Sequence, residues 1–288
     1  MPYLLAASVI WAFSFGLIKG YLAGIDANFI AFTRLFLASL VLLPFLRPRR
    51  LPAGLALKML LVGAIQYGLM YIAYIASFQY LAAFQVAMFT IFTPLYVTLL
   101  NDLRQRRFSP LFWFSALLAV LGVAIMVYRH PGGHVLVSGF LLVQVSNLCF
   151  ALGQIMYRQV MAHAPQVKDR HLFGLLYLGG LLPAALASWN LGRAQIPALG
   201  PSQLAVLFYL GVLASGLGFF LWNYGARQTN VGALAVMNNL KIPLAVACSL
   251  IFFGEKTDPV RLFLGGTVIV AALFINEIYL EKKKPGGP

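Results

Sequence analysis

The chain has 288 residues, of which 61% are hydrophobic and only 10% charged. A soluble domain carries roughly 25% charged residues, so this chain cannot cover a water-facing surface. Its formal charge of +14 would suggest a nucleic-acid partner on a soluble protein, but the apolar content argues against one.

A spanning helix needs about 20 apolar residues, so short loops leave room for roughly ten spans and no soluble domain. In chain order the apolar runs predict helices over about 3–20, 28–46, 57–79, 82–100, 109–128, 135–158, 171–190, 202–225, 231–253 and 259–280. The first run lacks a basic leader and reads as a retained span, not a cleaved signal. Asp26 and Asn28 precede the second span, and Pro48 and Pro52 follow it. Ser109-Pro110 and Asp258-Pro259 each read as a helix start with Pro at the first position. Pro131-Gly132-Gly133 separates the fifth and sixth spans. Cys149 and Cys248 lie in apolar runs with no disulfide framework and no metal spacing, so no metal and no cofactor are expected. The ten-residue alternation of a membrane barrel is absent.

Fourteen of the 21 Lys and Arg fall in the gaps after even-numbered spans and in the tail; five fall opposite. That bias puts both termini in the cytoplasm and sets cations beside anionic lipid headgroups. The remaining two, Arg34 and Lys241, lie within spans.

The halves resemble each other at an offset of about 149 residues, with Pro94 matching Pro243 and Ser109-Pro110 matching Asp258-Pro259. One residue tighter, Gly63 and Gly68 match Gly211 and Gly216, and Tyr71 and Tyr74 match Phe219 and Trp222. Phe13 and Gly16 match Phe150 and Gly153 in the leading helices. Five spans per half is an odd number, so the second half enters from the opposite side. The expected fold is all-α and membrane-integral, ten transmembrane helices in two inverted-topology five-helix repeats. The expected units are 1–130, 131–281 and a basic cytoplasmic tail, 282–288. In such repeats the bound site lies near the midplane, between the halves.

These residues resemble the drug/metabolite transporter superfamily, in its ten-helix EamA-type branch. "VIWAFSFGLIK" with Trp11 resembles its first helix, and "AFTRLFLASLVLLP" with Arg34 its second. "FTPLYVTLL" with Pro94 resembles its fourth, and "FFGEKTDPVRLFLGGTVIVAALF" with Gly254, Glu255 and Pro259 its Gly-Glu turn and tenth helix. Within that branch the chain looks similar to bacterial inner-membrane exporters of amino acids, aromatic ones included. The resemblance implies a monomeric transporter and a structural or gating role for Arg34. Two departures stand out. Many relatives carry a Glu just before the ninth-helix proline, where this chain has Ile242. The first half has Asn101-Asp102 in place of the Gly-Glu turn.

A charge inside the membrane costs several kcal/mol, so each is a site candidate. Lys241 lies about ten residues into its span, beside Asn238, Asn239 and Pro243. It reads as the cation that receives a substrate carboxylate, with the asparagines binding polar groups. Aromatic residues form helical stripes: Tyr67, Tyr71, Tyr74 and Phe78 on the third span, Phe89, Phe92 and Tyr96 on the fourth. With Trp11, Thr93 and Trp222 they are expected to wall the site, and Tyr hydroxyls favour a polar cavity over lipid. Ser14, Gln66, Thr90, Ser146, Asn147, Gln154 and Ser215 complete a candidate lining. Gly63, Gly68, Gly211 and Gly216, with Pro94 and Pro243, read as close-packing points and hinges.

No acidic residue sits mid-span, and a multidrug relative's first-helix Glu is missing. Facilitated, gradient-driven movement is therefore expected over proton antiport. An embedded protease needs Gly-x-Ser-Gly, but Leu213 stands where Ser215-Gly216 would need the first glycine. The sequence thus predicts no enzyme. It predicts a transporter that exports amino acids by alternating access, or a carrier of another small metabolite or drug.

Overall fold

The computed structural model describes residues 1–47, 51–81, 83–127, 135–190, 197–252 and 259–282, and among these it is helical with no strand. Ten helices follow one another in these residues. α1 is Pro2–Tyr21, and α2 is Ala27–Phe45, whose last turn is a 3-10 turn. α3 is Ala53–Ser77, with a π-helical middle at Ala64–Leu69. α4 joins Ala83–Phe89 to Thr93–Gln105 through the 3-10 turn Thr90–Phe92. α5 is Pro110–Val127, α6 is Val135–Ala162, and α7 is Phe173–Asn190. α8 is Pro201–Arg227, with π-helical turns at Tyr209–Leu217. α9 is Val231–Phe252 and α10 is Pro259–Lys282. Among the described residues five helices, α1, α2, α3, α6 and α8, are long and apolar enough to cross a membrane; α5, α7, α9 and α10 hold shorter apolar stretches.

The expected starts of α2, α5 and α10 hold, the last two opening on Pro110 and Pro259. Asp26 Oδ1 accepts from Phe29 N at 2.8 Å and opens α2. α4 runs further than expected, to Gln105, and Arg106 ends it at φ 50°. The reason is Asp102, buried on the last turns. Its Oδ2 accepts from Ser109 N and from Trp113 Nε1, each at 2.9 Å, and so joins α4 to the start of α5. The Gly254-Glu255 turn, Asp258, the 130/131 boundary and residues 283–288 of the tail lie outside the described residues.

The helices interlock across the halves. α1 packs on α9 as α6 packs on α4, and α2 packs on α8 as α7 packs on α3. α1 meets α8 as α6 meets α3. The pairs α2 with α7, α4 with α9 and α5 with α10 join counterpart helices. This is the two-fold relation of an inverted repeat.

The glycine pairs mark two of these seams, the one on α3 the tighter. A Cβ on Gly63 would stand 1.9 Å from Leu176 O, and one on Gly68 would stand 2.3 Å from Pro183 Cγ, so α3 seats α7 backbone to backbone. Their counterparts seat α2 on α8: a Cβ on Gly211 would stand 2.6 Å from Leu37 Cβ, and one on Gly216 would stand 3.7 Å from Ala38 Cα. The π-helical turns of α3 and α8 fall at these same repeat-related places. Wider turns of this kind occur often at functional sites.

Candidate functional site

A cavity of about 70 Å³ lies between the halves, small beside the ~300–1,000 Å³ usual for open small-molecule sites. α1 contributes Trp11, Ser14 and Phe15, α2 Arg34, and α3 Met70, Tyr71 and Tyr74. α4 contributes Thr90, α6 Ser146, Asn147 and Phe150, α8 Phe219, and α9 Lys241. Three of these helices, α3, α4 and α8, depart from regular α-helix where they reach it. Pro94 has no N–H to offer the Thr90 carbonyl. Thr93 Oγ1 donates to that carbonyl instead, at 2.7 Å, and the turn tightens to 3-10. In α8, Ser215 Oγ donates to Leu210 O at 2.6 Å, and Tyr177 OH donates to Ser215 O at 2.6 Å. These bonds satisfy carbonyls that the π-helical turns leave open.

Two cations reach the cavity. Arg34 Nε donates to Ser215 Oγ at 3.2 Å and Nη2 to Tyr71 OH at 2.8 Å, while Nη1 is buried with no partner among the described residues. The Lys241 Nζ hangs 5.2 Å from the Phe150 ring centre and 5.7 Å from that of Trp11. No acidic side chain is among the lining residues. Burying cations without a counter-charge is costly, and an incoming anion offsets that cost.

Aromatic rings make the walls. Trp11 lies 4.9 Å from Phe219, 5.0 Å from Trp222 and 5.9 Å from Phe150. Its Nε1 donates to Ala214 O at 2.8 Å, which fixes the ring against the π-helical turns of α8. Tyr74 stands edge-on to Phe15 at 6.2 Å.

Of the residues expected to bind substrate, Lys241, Tyr71, Tyr74 and Trp11 come together at the cavity, and Arg34 joins them. Six others are not among the lining residues. Tyr67 stacks on Tyr177 at 5.0 Å and accepts from Asn223 Nδ2 at 3.0 Å. Trp222 donates to Gln154 Oε1 at 2.8 Å. Asn238 Nδ2 turns back to Leu234 O at 2.8 Å, and Asn239 Nδ2 crosses to Ile91 O of α4 at 3.2 Å. Phe89 stands edge-on to Phe140 at 5.0 Å. Thr93 is committed to Thr90 O, as described. Each of these groups found a partner within the protein, as polar residues between membrane helices do. Pro94 lies buried beside Thr93, and Pro243 lies inside α9, which stays α-helical.

Sequence reasoning missed the ties at the two ends. Arg227 at the end of α8 pairs with Asp169, which also accepts from Tyr157 OH at 2.5 Å. On the repeat-related end of α3, Lys19 Nζ donates to Phe78 O at 3.1 Å and Leu81 O at 3.2 Å. The α6 stripe of Val143, Asn147, Phe150, Gln154, Tyr157 and Met161, all buried at alternating three- and four-residue spacings, was the available signal for Tyr157.

Residues 1–128 and 137–277 each match the EamA-like transporter family. The chain belongs to that family. It is therefore a multi-pass membrane transporter and not an enzyme. It is similar to a Pseudomonas aeruginosa protein described as a probable biotin transporter, 44% identical over 96% of this chain and 98% of that one. It is 39% identical to the biotin transporter of Escherichia coli K12, over 98% of this chain and 95% of that one. A probable amino-acid metabolite efflux pump of Salmonella typhimurium is 26% identical, over 55% of each chain. A solved crystal structure superposes with a TM-score of 0.77 at 14% identity, covering 96% of both chains, which shows the shared fold.

Proposed function

We propose that the chain carries biotin, or a monocarboxylate of similar build, across the bacterial inner membrane by alternating access. The observation that carries this reading is the charge of the cavity: Lys241 and Arg34 line it, and no acid does among the described residues. A monocarboxylate brings the one charge the cavity lacks. Lys241 meets the carboxylate. Arg34, half committed to Tyr71 and Ser215, adds the second positive charge. Trp11, Phe150 and Phe219 hold the apolar body of the substrate. The relatives described as biotin transporters, at 44% and 39% identity, support the substrate class.

The two repeats rock about the cavity, with the glycine seams and the interrupted α4 and α8 absorbing the motion. Movement follows the substrate gradient, because no Asp, Glu or His among the lining residues carries a proton. The monomer is the working unit, and both termini face the cytoplasm.

A second reading is the export of amino acids, aromatic ones included, favoured by the efflux pump at 26% identity. An amino acid also brings an ammonium, for which the cavity has rings and hydroxyls but no carboxylate. Counterflow separates the two readings. Liposomes holding the purified protein and excess unlabelled biotin should take up labelled biotin well above protein-free liposomes. Exchange of labelled phenylalanine or tyrosine without exchange of biotin would move the assignment to amino acids.

A further inference from the structure

The carboxylate reading leaves one wall of the cavity unexplained. On α6, Asn147 is 3% exposed and lines the cavity one turn before Phe150. Its Nδ2 is spent twice, donating to Phe89 O at 2.8 Å and to Gln144 Oε1 at 3.3 Å. Both partners are acceptors, so a flipped amide would set oxygen against oxygen; the orientation is fixed. The clamp exists because α4 breaks. Thr93 N bonds to Thr90 O in the 3-10 turn and leaves the Phe89 carbonyl open to side chains. Gln144 Nε2 takes the same carbonyl at 3.2 Å.

That leaves Asn147 Oδ1. No donor among the described residues reaches it, and it is not sealed from the cavity as the Oδ1 atoms of Asn238 and Asn239 are sealed in the protein. An oriented, desolvated acceptor of this kind rejects ligands that bring it no donor, because it then stays unpaired. Lys241 and Asn147 line the same cavity, and the Lys241 Nζ stands 5.2 Å from the Phe150 ring, one turn along α6 from Asn147.

We propose that Asn147 Oδ1 reads an N–H donor on the neutral end of the carried monocarboxylate and so sets specificity against simple fatty acids. This rests on the biotin reading above and deepens it. The ring urea of biotin presents two N–H groups beside a carbonyl. A straight-chain acid such as octanoate has the carboxylate and the apolar body but no N–H.

The test is a pair of titrations on the purified full chain in detergent, read by tryptophan fluorescence, since Trp11 lines the cavity. Wild type should bind biotin tighter than octanoate. Asn147→Ala should weaken biotin about ten-fold, the size of one buried hydrogen bond, and leave octanoate within about two-fold. Biotin methylated on its urea nitrogens should bind wild type about ten-fold weaker than biotin and suffer no further loss in Asn147→Ala. Gln144→Leu loosens the same clamp without removing Oδ1, and should keep the ratio of biotin to octanoate affinity. Equal loss for both ligands in Asn147→Ala, no loss for either, or the same change of ratio in Gln144→Leu would each overturn the proposal. A wild-type protein that binds octanoate but not biotin is a different failure, and takes the biotin reading down with it.

Discussion

Arg34 Nη2 donates to the Tyr71 hydroxyl at 2.8 Å, and that hydroxyl lies 2.8 Å from Ser215 Oγ, so one guanidinium ties α2 to α3 and α8. Its Nη1 is buried with no partner among the described residues. Arg34→Gln should lower biotin counterflow by about ten-fold or more, and Tyr71→Phe by less, because it removes one bond of the set. Arg34→Lys should not rescue, since one ammonium cannot reproduce the planar fork that serves Tyr71 and Ser215 together. Full transport by Arg34→Lys would show that charge alone is needed there.

Lys241 should discriminate by charge. In Lys241→Gln, biotin affinity should fall about ten- to hundred-fold, as for loss of a charged hydrogen bond. The neutral amide of biotin should bind wild type and variant alike. Titration of both ligands on both proteins reads this directly, and equal loss of acid and amide would make Lys241 a structural residue.

The glycine seams predict a sharp contrast in stability. A methyl on Gly63 would meet the Leu176 carbonyl at 1.9 Å, while one on Gly54 meets nothing within 4 Å. Gly63→Ala should cost about 3 kcal/mol or more, because backbone cannot step aside as a side chain can. Gly54→Ala should be neutral or slightly stabilising. Melting of the detergent-solubilised proteins measures both.

Net flux should carry charge. With no acid or histidine among the described lining residues, each carried biotin should move one negative charge. An interior-negative potential of 100 mV should then bias the equilibrium ratio of biotin about 50-fold toward the outside, from ~2.3 kcal/mol per charge. A potassium gradient with valinomycin sets that potential in liposomes. Accumulation that follows a pH gradient and ignores the potential would mean a proton travels with the substrate.

Much of this was legible in the sequence. The apolar runs marked the helices because length and hydropathy leave few other readings, and the paired glycines and prolines marked the repeat. Arg34 and Lys241 stood out as charges in apolar surroundings. The third-span stripe was only half right, for a physical reason. Tyr67 and Tyr71 do share a face and both reach Phe219, but Tyr67 is covered by Tyr177, on which it stacks, and is kept out of the cavity. On α9, Asn239 and Lys241 are two residues apart, about 200° around a helix, so both could not face one cavity. Asn239 crosses to Ile91 instead. The open carbonyls of α4 and α8, and the side chains that answer them, depend on contacts between distant segments that no local pattern encodes.

The interlocked packing also sets an order of events during synthesis. α2 enters the bilayer with Arg34, whose partner Ser215 is 181 residues further along the chain. Trp11 waits still longer for the Ala214 carbonyl, 203 residues away. Until α7 is translated the glycine groove on α3 stays unseated, and until α8 follows Arg34 has Tyr71 but lacks Ser215. Each half on its own is thus an unfinished surface, and assembly completes only when the ribosome has delivered the other.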